Sequence, residues 1–197
     1  GDFDKAIEIL RKKGQKIASN RQDRDAKEGC VLCGTTSDAK NACIVVVNCE
    51  TDFVAQNGDF IDFTKAILNK ALEVLPTSIE ELKELELNGR KIADLLTDQM
   101  GKIGEKIDVG YYEKITAAQA FGYIHPGNKL ATIVGFNTTV SDIQVGRNIA
   151  MQIAAMNPIA VDKEDCSESV INTEIEIAKE KTVKKQNQKA VEVALKK

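Results

Sequence analysis

Apolar residues change their period several times along the chain, and each change marks an element. Cys43, Ile44, Val45, Val46 and Val47 are apolar without a break and mostly β-branched, the pattern of a short strand buried on both faces. The run stops at Asn48-Cys49-Glu50-Thr51-Asp52, where continuing a buried strand would desolvate carboxylates. The backbone must therefore emerge at the sheet end as a polar loop and carry Phe53 out with it. Two readings of Phe53 stay open, an exposed contact residue or a satellite core residue folded under its own loop. Upstream, the turn-forming cluster Thr35-Thr36-Ser37-Asp38-Ala39-Lys40-Asn41 divides two apolar segments within residues 28–49 and predicts a β-hairpin. Downstream, Asn57-Gly58-Asp59 predicts a turn with Asp59 as N-cap. Phe60, Phe63, Ile67, Ala71 and Val74 then recur at helical spacing until Pro76 ends the helix.

Ser78-Ile79-Glu80-Glu81 has capping-box spacing and opens a short helix ending by Asn88-Gly89. A helix over residues 91–103 places Ile92, Leu96, Met100 and Ile103 on one stripe, with Gly104 as a left-handed C-cap. Ile103 thus sits at a helix end, where most residues simply complete a core. Residues 107–118 and 120–124 read as strands. Pro126-Gly127 fits the centre of a type II turn that sets His125 at a strand tip and leads into residues 129–136. Residues 141–158 repeat the earlier order of strand, polar loop and helix closed by a proline, which reads as an internal duplication. Met151 and Met156 on that helix read as core fillers.

At the start, Phe3, Ile7, Ile9 and Leu10 mark the apolar side of a helix over residues 1–13 without a visible neighbour, followed by a charged linker from 15 to 27. At the end, an acidic cluster at 162–165 passes into a Glu- and Lys-rich helix with Val170, Ile171, Ile175, Ile177 and Ala178 on one side. Its Lys-rich end reads as a solvated face more readily than as an RNA patch. The expected fold is α+β, with two subdomains, each an antiparallel β-sheet packed against helices, and helical N- and C-terminal segments. The expected boundaries are 1–27, 28–118, 119–166 and 167–197.

Composition narrows the function classes. With 43% hydrophobic and 29% charged residues, the chain has the make-up of an ordinary globular protein. No apolar window reaches membrane-spanning length and no signal-peptide pattern opens the chain, so a cytoplasmic location and no membrane partner are expected. A net charge of -3 argues against direct nucleic-acid binding through phosphate neutralisation. The five cysteines are an odd number and several lie in apolar strand-like contexts, so free thiols are expected. Cys30 and Cys33 have zinc-knuckle spacing, but the lone histidine, His125, is far away and no second pair closes a tetrahedral site; no metal and no cofactor are expected.

A family resemblance rests on specific residues. Asn48-Cys49-Glu50-Thr51-Asp52-Phe53-Val54-Ala55 resembles the signature of the elongation factor Ts family, guanine nucleotide exchange factors that recycle elongation factor Tu. The likeness continues through Lys102-Ile103-Gly104-Glu105, Tyr123-Ile124-His125-Pro126-Gly127 and Asn148-Ile149-Ala150-Met151-Gln152-Ile153-Ala154-Ala155. It implies that the chain covers the core region and lacks most of an N-terminal module and the C-terminal end. The family's contacts with elongation factor Tu, in its GDP-bound and nucleotide-free forms, would fall on Thr51, Asp52, Phe53, Val54, Ile103, Gly104 and His125. A homodimer is left open. In this resemblance Phe53 enters an apolar pocket of the partner's nucleotide domain with Asp52 beside it, and the magnesium and phosphate contacts weaken.

Three function classes compete. An enzyme needs convergent acid, base or nucleophile groups, and the chain has one His and no Ser/His/Asp set, phosphate loop or metal-ligand cluster, so no enzyme activity is expected. A non-catalytic scaffold module without exchange activity fits the composition. An exchange factor is such a module with a wedge, and the Thr51-Asp52-Phe53 stretch distinguishes the two.

Overall fold

The strand expected at residues 43–47 is the central strand of the main sheet in the computed structural model, which describes residues 2–21 and 24–194. For 3, 4, 10, 18 and 186–194 it describes the backbone alone, so the expected packing of Phe3 and Leu10 lies outside the described residues. The elements are α1 (Phe3–Asn20), β1 (Glu28–Thr35), β2 (Asn41–Cys49), α2 (Asp52–Ala55), α3 (Gly58–Val74), α4 (Ile79–Glu84), β3 (Glu86–Leu87), β4 (Arg90–Lys91), α5 (Ile92–Ile103), β5 (Asp108–Thr116), β6 (Gln119–Ile124), β7 (Ala131–Phe136), α6 (Ile143–Met156) and α7 (Glu168–Ala194). The chain divides into two compact units after Met156. Among the described residues, no helix is long and apolar enough to cross a membrane.

In the first unit, β1, β2 and β5 form an antiparallel sheet in that order, with Glu28 opposite Cys49 and Val45 opposite Tyr112. Alternation along the pleat sends Cys43, Val45, Val47 and Cys49 into one core with Cys30, Leu32, Phe60, Ile67 and Ala71. The opposite face carries Val31, Cys33 and Ile44 against Ile124, Ala131 and Ile133 of a second antiparallel hairpin, β6–β7. Both faces of β2 are covered, and this is why its sequence is continuously apolar. Cys30 and Cys33 consequently face opposite sides of the sheet, and the Cys33 thiol donates to the carbonyls of Tyr123 and Thr132. All five cysteines are free. Helix α6 covers the β6–β7 hairpin, where Thr132 Oγ1 donates to the Ala150 carbonyl at 2.7 Å. The fold is α+β, with a helix packed on each antiparallel sheet.

Several local expectations need correction. The polar stretch after β2 is not an open loop but the helical turn α2, because Thr51 caps it through its side chain. The N-cap of α3 is Asn57, whose side chain accepts from the amides of Asp59 and Phe60; Asp59 lies inside the first turn. Leu75 ends α3 in a left-handed conformation before Pro76. Ser78 caps α4 through the Glu81 amide, but Glu81 reaches Thr77 instead of returning to Ser78. Asn88 and Gly89, both at positive φ, turn the miniature hairpin β3–β4 instead of ending a helix.

Helix α1 runs on to Asn20 through residues expected to be linker, where Gln15, Lys16 and Ala18 are good helix formers. It also has a neighbour. Gly14 is buried so closely on α5 that a Cβ there would stand 2.1 Å from the Thr97 carbonyl oxygen. On α6 the expectation for Met151 and Met156 is overturned: both are exposed, while Gly146 and Ala150 make the contact. A helix lying close to a thin hairpin needs small residues at the seam.

In the second unit, the acidic cluster forms a turn in which Asp162 accepts from the amides of Glu164 and Asp165. Along α7, Val170, Ile175 and Ile177 are exposed and Ile171 is half-buried.

Candidate partner-contact site

The site grows from the C-terminal end of β2. That strand is held on both sides by its neighbours and on both faces by apolar packing, so its last residues are firmly placed. Cys49 is the final buried residue, and its thiol donates to the Thr51 carbonyl at 3.2 Å. Thr51 then starts α2. Within that single turn Ala55 points inward at 5% exposure while Phe53 stands 85% exposed. Half of the hydrophobic-residue pattern thus anchors the turn and the other half presents a bare aromatic ring to solvent. Asp52 is exposed beside Phe53, and Val54 is half-buried.

Helix α5 brings a second apolar group to the same place. Ile92, Leu96 and Met100 pack into the main core, so the stripe ends at half-buried Ile103. Gly104 closes the helix at φ 84, its amide donating to the Met100 carbonyl; a side chain would be strained in that left-handed conformation. Phe53, Val54 and Ile103 line one shallow depression between α2 and α5, with Asn57, Asp59, Gln99 and Lys102 at its edges. The expected contact residues on α2 and α5 are therefore side by side in space, although some fifty positions apart in sequence.

Two acidic residues with no assigned role in the sequence reading hold this arrangement. Glu105 Oε2 accepts from the amides of both Glu50 and Thr51 at 3.0 Å, and its Oε1 accepts from the Thr51 hydroxyl at 2.7 Å. Glu50 answers from the other side, accepting from the Lys106 amide at 2.7 Å and from Arg21 at 2.6 Å. Burial pushes the Glu50 carboxyl up, but the Arg21 guanidinium, the Lys106 amide and Arg24 outweigh it and hold the group below the ordinary carboxylate value. Glu105 follows Gly104 in a motif that carried the resemblance; nothing in sequence spacing reveals that it reaches back to residues 50 and 51.

His125 lies in the β6–β7 turn, exposed, its Nδ1 3.0 Å from the Tyr123 hydroxyl. The turn is closed by the Asn128 amide on the His125 carbonyl and clipped to the main sheet by the Val31 amide on the Asn128 carbonyl. Lys129 pairs with Glu28, which stands opposite Cys49, so the turn lies at the same end of the sheet as α2. His125 does not line the Phe53 depression. It offers a separate polar contact at that end. Among the described residues no group of acidic, cysteine and histidine side chains has the arrangement of a metal site.

Comparison with known proteins identifies the family. The profile of the family described as Elongation factor TS matches residues 50–196. The chain is 48% identical to an elongation factor Ts of Azobacteroides pseudotrichonymphae over 97% of its own length and 69% of the relative's. It is 51% identical to one of Porphyromonas gingivalis over 92% of the chain and 66% of the relative. With one of Bacteroides thetaiotaomicron it shares 48% identity over 100% of the chain and 59% of the relative. The chain thus spans about three fifths to two thirds of the length of these relatives. With the profile covering most of its residues and identity near one half along nearly all of it, this chain belongs to the elongation factor Ts family.

Proposed function

We propose that the chain is the core of a guanine nucleotide exchange factor that binds elongation factor Tu·GDP and promotes GDP release. The observation that carries this reading is Phe53, a large apolar side chain 85% exposed on a capped turn at the end of the most deeply buried strand. A ring left in water on so firm a base is a contact device. In the complex Phe53 enters an apolar pocket of the partner's nucleotide domain with Asp52 beside it. Thr51 and Val54 shape the turn, Ile103 and Gly104 form the other side of the apolar contact, and His125 reaches the partner from the second hairpin. Displacement of the partner's helices weakens its magnesium and phosphate contacts, and the same surface holds the nucleotide-free form.

Linkage sets the scale. The factor weakens nucleotide binding only as far as nucleotide weakens factor binding. Shifting a two-state equilibrium from one side almost wholly to the other requires about 5.5 kcal/mol of differential binding. A buried Phe contributes about 1.5–3 kcal/mol. Phe53 therefore acts together with a wider surface.

The test is release of labelled GDP from elongation factor Tu on mixing with the chain. Accelerated release is the expected result. Binding without release would replace this reading with a scaffold module, and neither binding nor release would remove it.

A further inference from the structure

The segments that carry Phe53 and Ile103 are tied to each other by a reciprocal exchange of hydrogen bonds. The Glu105 carboxylate takes the two successive amides of Glu50 and Thr51 together with the Thr51 hydroxyl, at 3.0, 3.0 and 2.7 Å. The Glu50 carboxylate takes the Lys106 amide at 2.7 Å. Residues 50–51 lead directly into α2, and residues 104–106 lead directly out of α5. Each segment thus caps the backbone of the other. Glu50, with its side chain only 12% exposed, also receives Arg21 from just past the end of α1. These bonds are charge-assisted, the stronger class, and two of the amides converge on one oxygen as in an anion nest.

The geometry points to Glu105 and Glu50 as positioning residues: a two-carboxylate clamp that sets the separation and orientation of Phe53 and Ile103. Neither carboxylate has to touch the partner. Without Glu105, the amides of Glu50 and Thr51 lose their acceptor and the Thr51 hydroxyl loses its anchor, so α2 can swing on the end of β2. Phe53 would then be ordered only on binding, at a cost in the complex. Because two contact surfaces must meet one partner together, an error in their spacing weakens both. This inference deepens the exchange reading and rests on it for its functional half; its geometric half stands in the free chain.

The geometric half is tested first, by amide hydrogen exchange in the free chain. In Glu105→Ala, the Glu50 and Thr51 amides should exchange at least about tenfold faster, while those of Val45 and Val47 in the preceding strand β2 stay at parent rates. Unchanged Glu50 and Thr51 rates overturn the clamp. In Glu105→Gln the amide oxygen still accepts both N–H groups and the NH2 can donate to Thr51 Oγ1, so most of the protection should return.

GDP release from elongation factor Tu tests the functional half. Glu105→Ala should slow stimulated release about tenfold, and Glu105→Gln should restore it to within about threefold of the parent. The deciding measurement is a double-mutant cycle. If Glu105 acts through Phe53, then adding Glu105→Ala to Phe53→Ala should cost no more than about twofold beyond Phe53→Ala alone. Multiplying losses, or a Glu105→Ala chain that releases GDP at the parent rate, would overturn the positioning role. A parent chain inert toward elongation factor Tu would instead remove the exchange reading, leaving the clamp to be decided by the amide rates.

Discussion

Phe53 and Ala55 are both apolar residues in one helical turn, yet one is bare and the other 5% exposed. Sequence pattern left the fate of Phe53 open because a single turn is too short for a period to show. Its exposure separates stability from function. Phe53→Ala should change folding stability by no more than about 0.5 kcal/mol, as for a surface substitution, and should strongly reduce GDP release. A melting curve beside the release assay checks both, and a loss of about 3 kcal/mol would mark a core residue instead. Asp52→Ala, which keeps the Phe53 ring, should give the smaller release defect in the same assay.

At the scale of elements, caps and close contacts decide where helices begin and how near they lie. Asn57→Ala removes the acceptor for two amides at the start of α3 and should cost about 0.5–2 kcal/mol in a denaturant titration. Gly14→Ala places a methyl 2.1 Å from the Thr97 carbonyl oxygen, so α1 must move off α5. A loss of about 1–3 kcal/mol is expected, even though alanine is the better helix former. A stabilised Gly14→Ala protein would mean that α1 does not dock as described. Capping and periodic stripes were legible in the sequence for α3, α4 and α5 to within a few residues. The α1–α5 contact was not, because a glycine among charged residues looks like a break until the facing carbonyl is known.

At the scale of the whole molecule, Glu50 joins residues 21, 50 and 106 from three parts of the chain. Its folded carboxyl lies below the ordinary value of 4.5, so it binds protons less readily folded than unfolded. The stability it contributes is present above about pH 4.5 and is lost as pH falls through the lower folded value. Glu50→Gln should therefore be less stable than the parent by about 1.5–3 kcal/mol at neutral pH. That gap should narrow on acidification below pH 4.5 in paired unfolding curves; a constant gap would exclude the ion pair as its source. Burial of the thiols gives an independent readout of the first unit. Desolvation raises all four buried cysteines, Cys33 and Cys49 to about 11. At neutral pH a thiol reagent should modify Cys166 quickly and the other four only on unfolding.

The amino-acid order by itself determined the α+β class, the two-faced burial of β2, the α3 and α5 stripes, the β6–β7 turn and the family. All of these rest on short-range periodicity, on residues with restricted dihedrals or on contiguous motifs. Tertiary structure alone decided that Phe53 is bare, that it lines one depression with Ile103 from some fifty residues away, that Met151 and Met156 face outward, and that Glu50 and Glu105 cap each other's backbones. The physical reason is that a carboxylate's partner amides and a side chain's cover are set by which distant backbone arrives beside it, and neither composition nor period encodes that arrival.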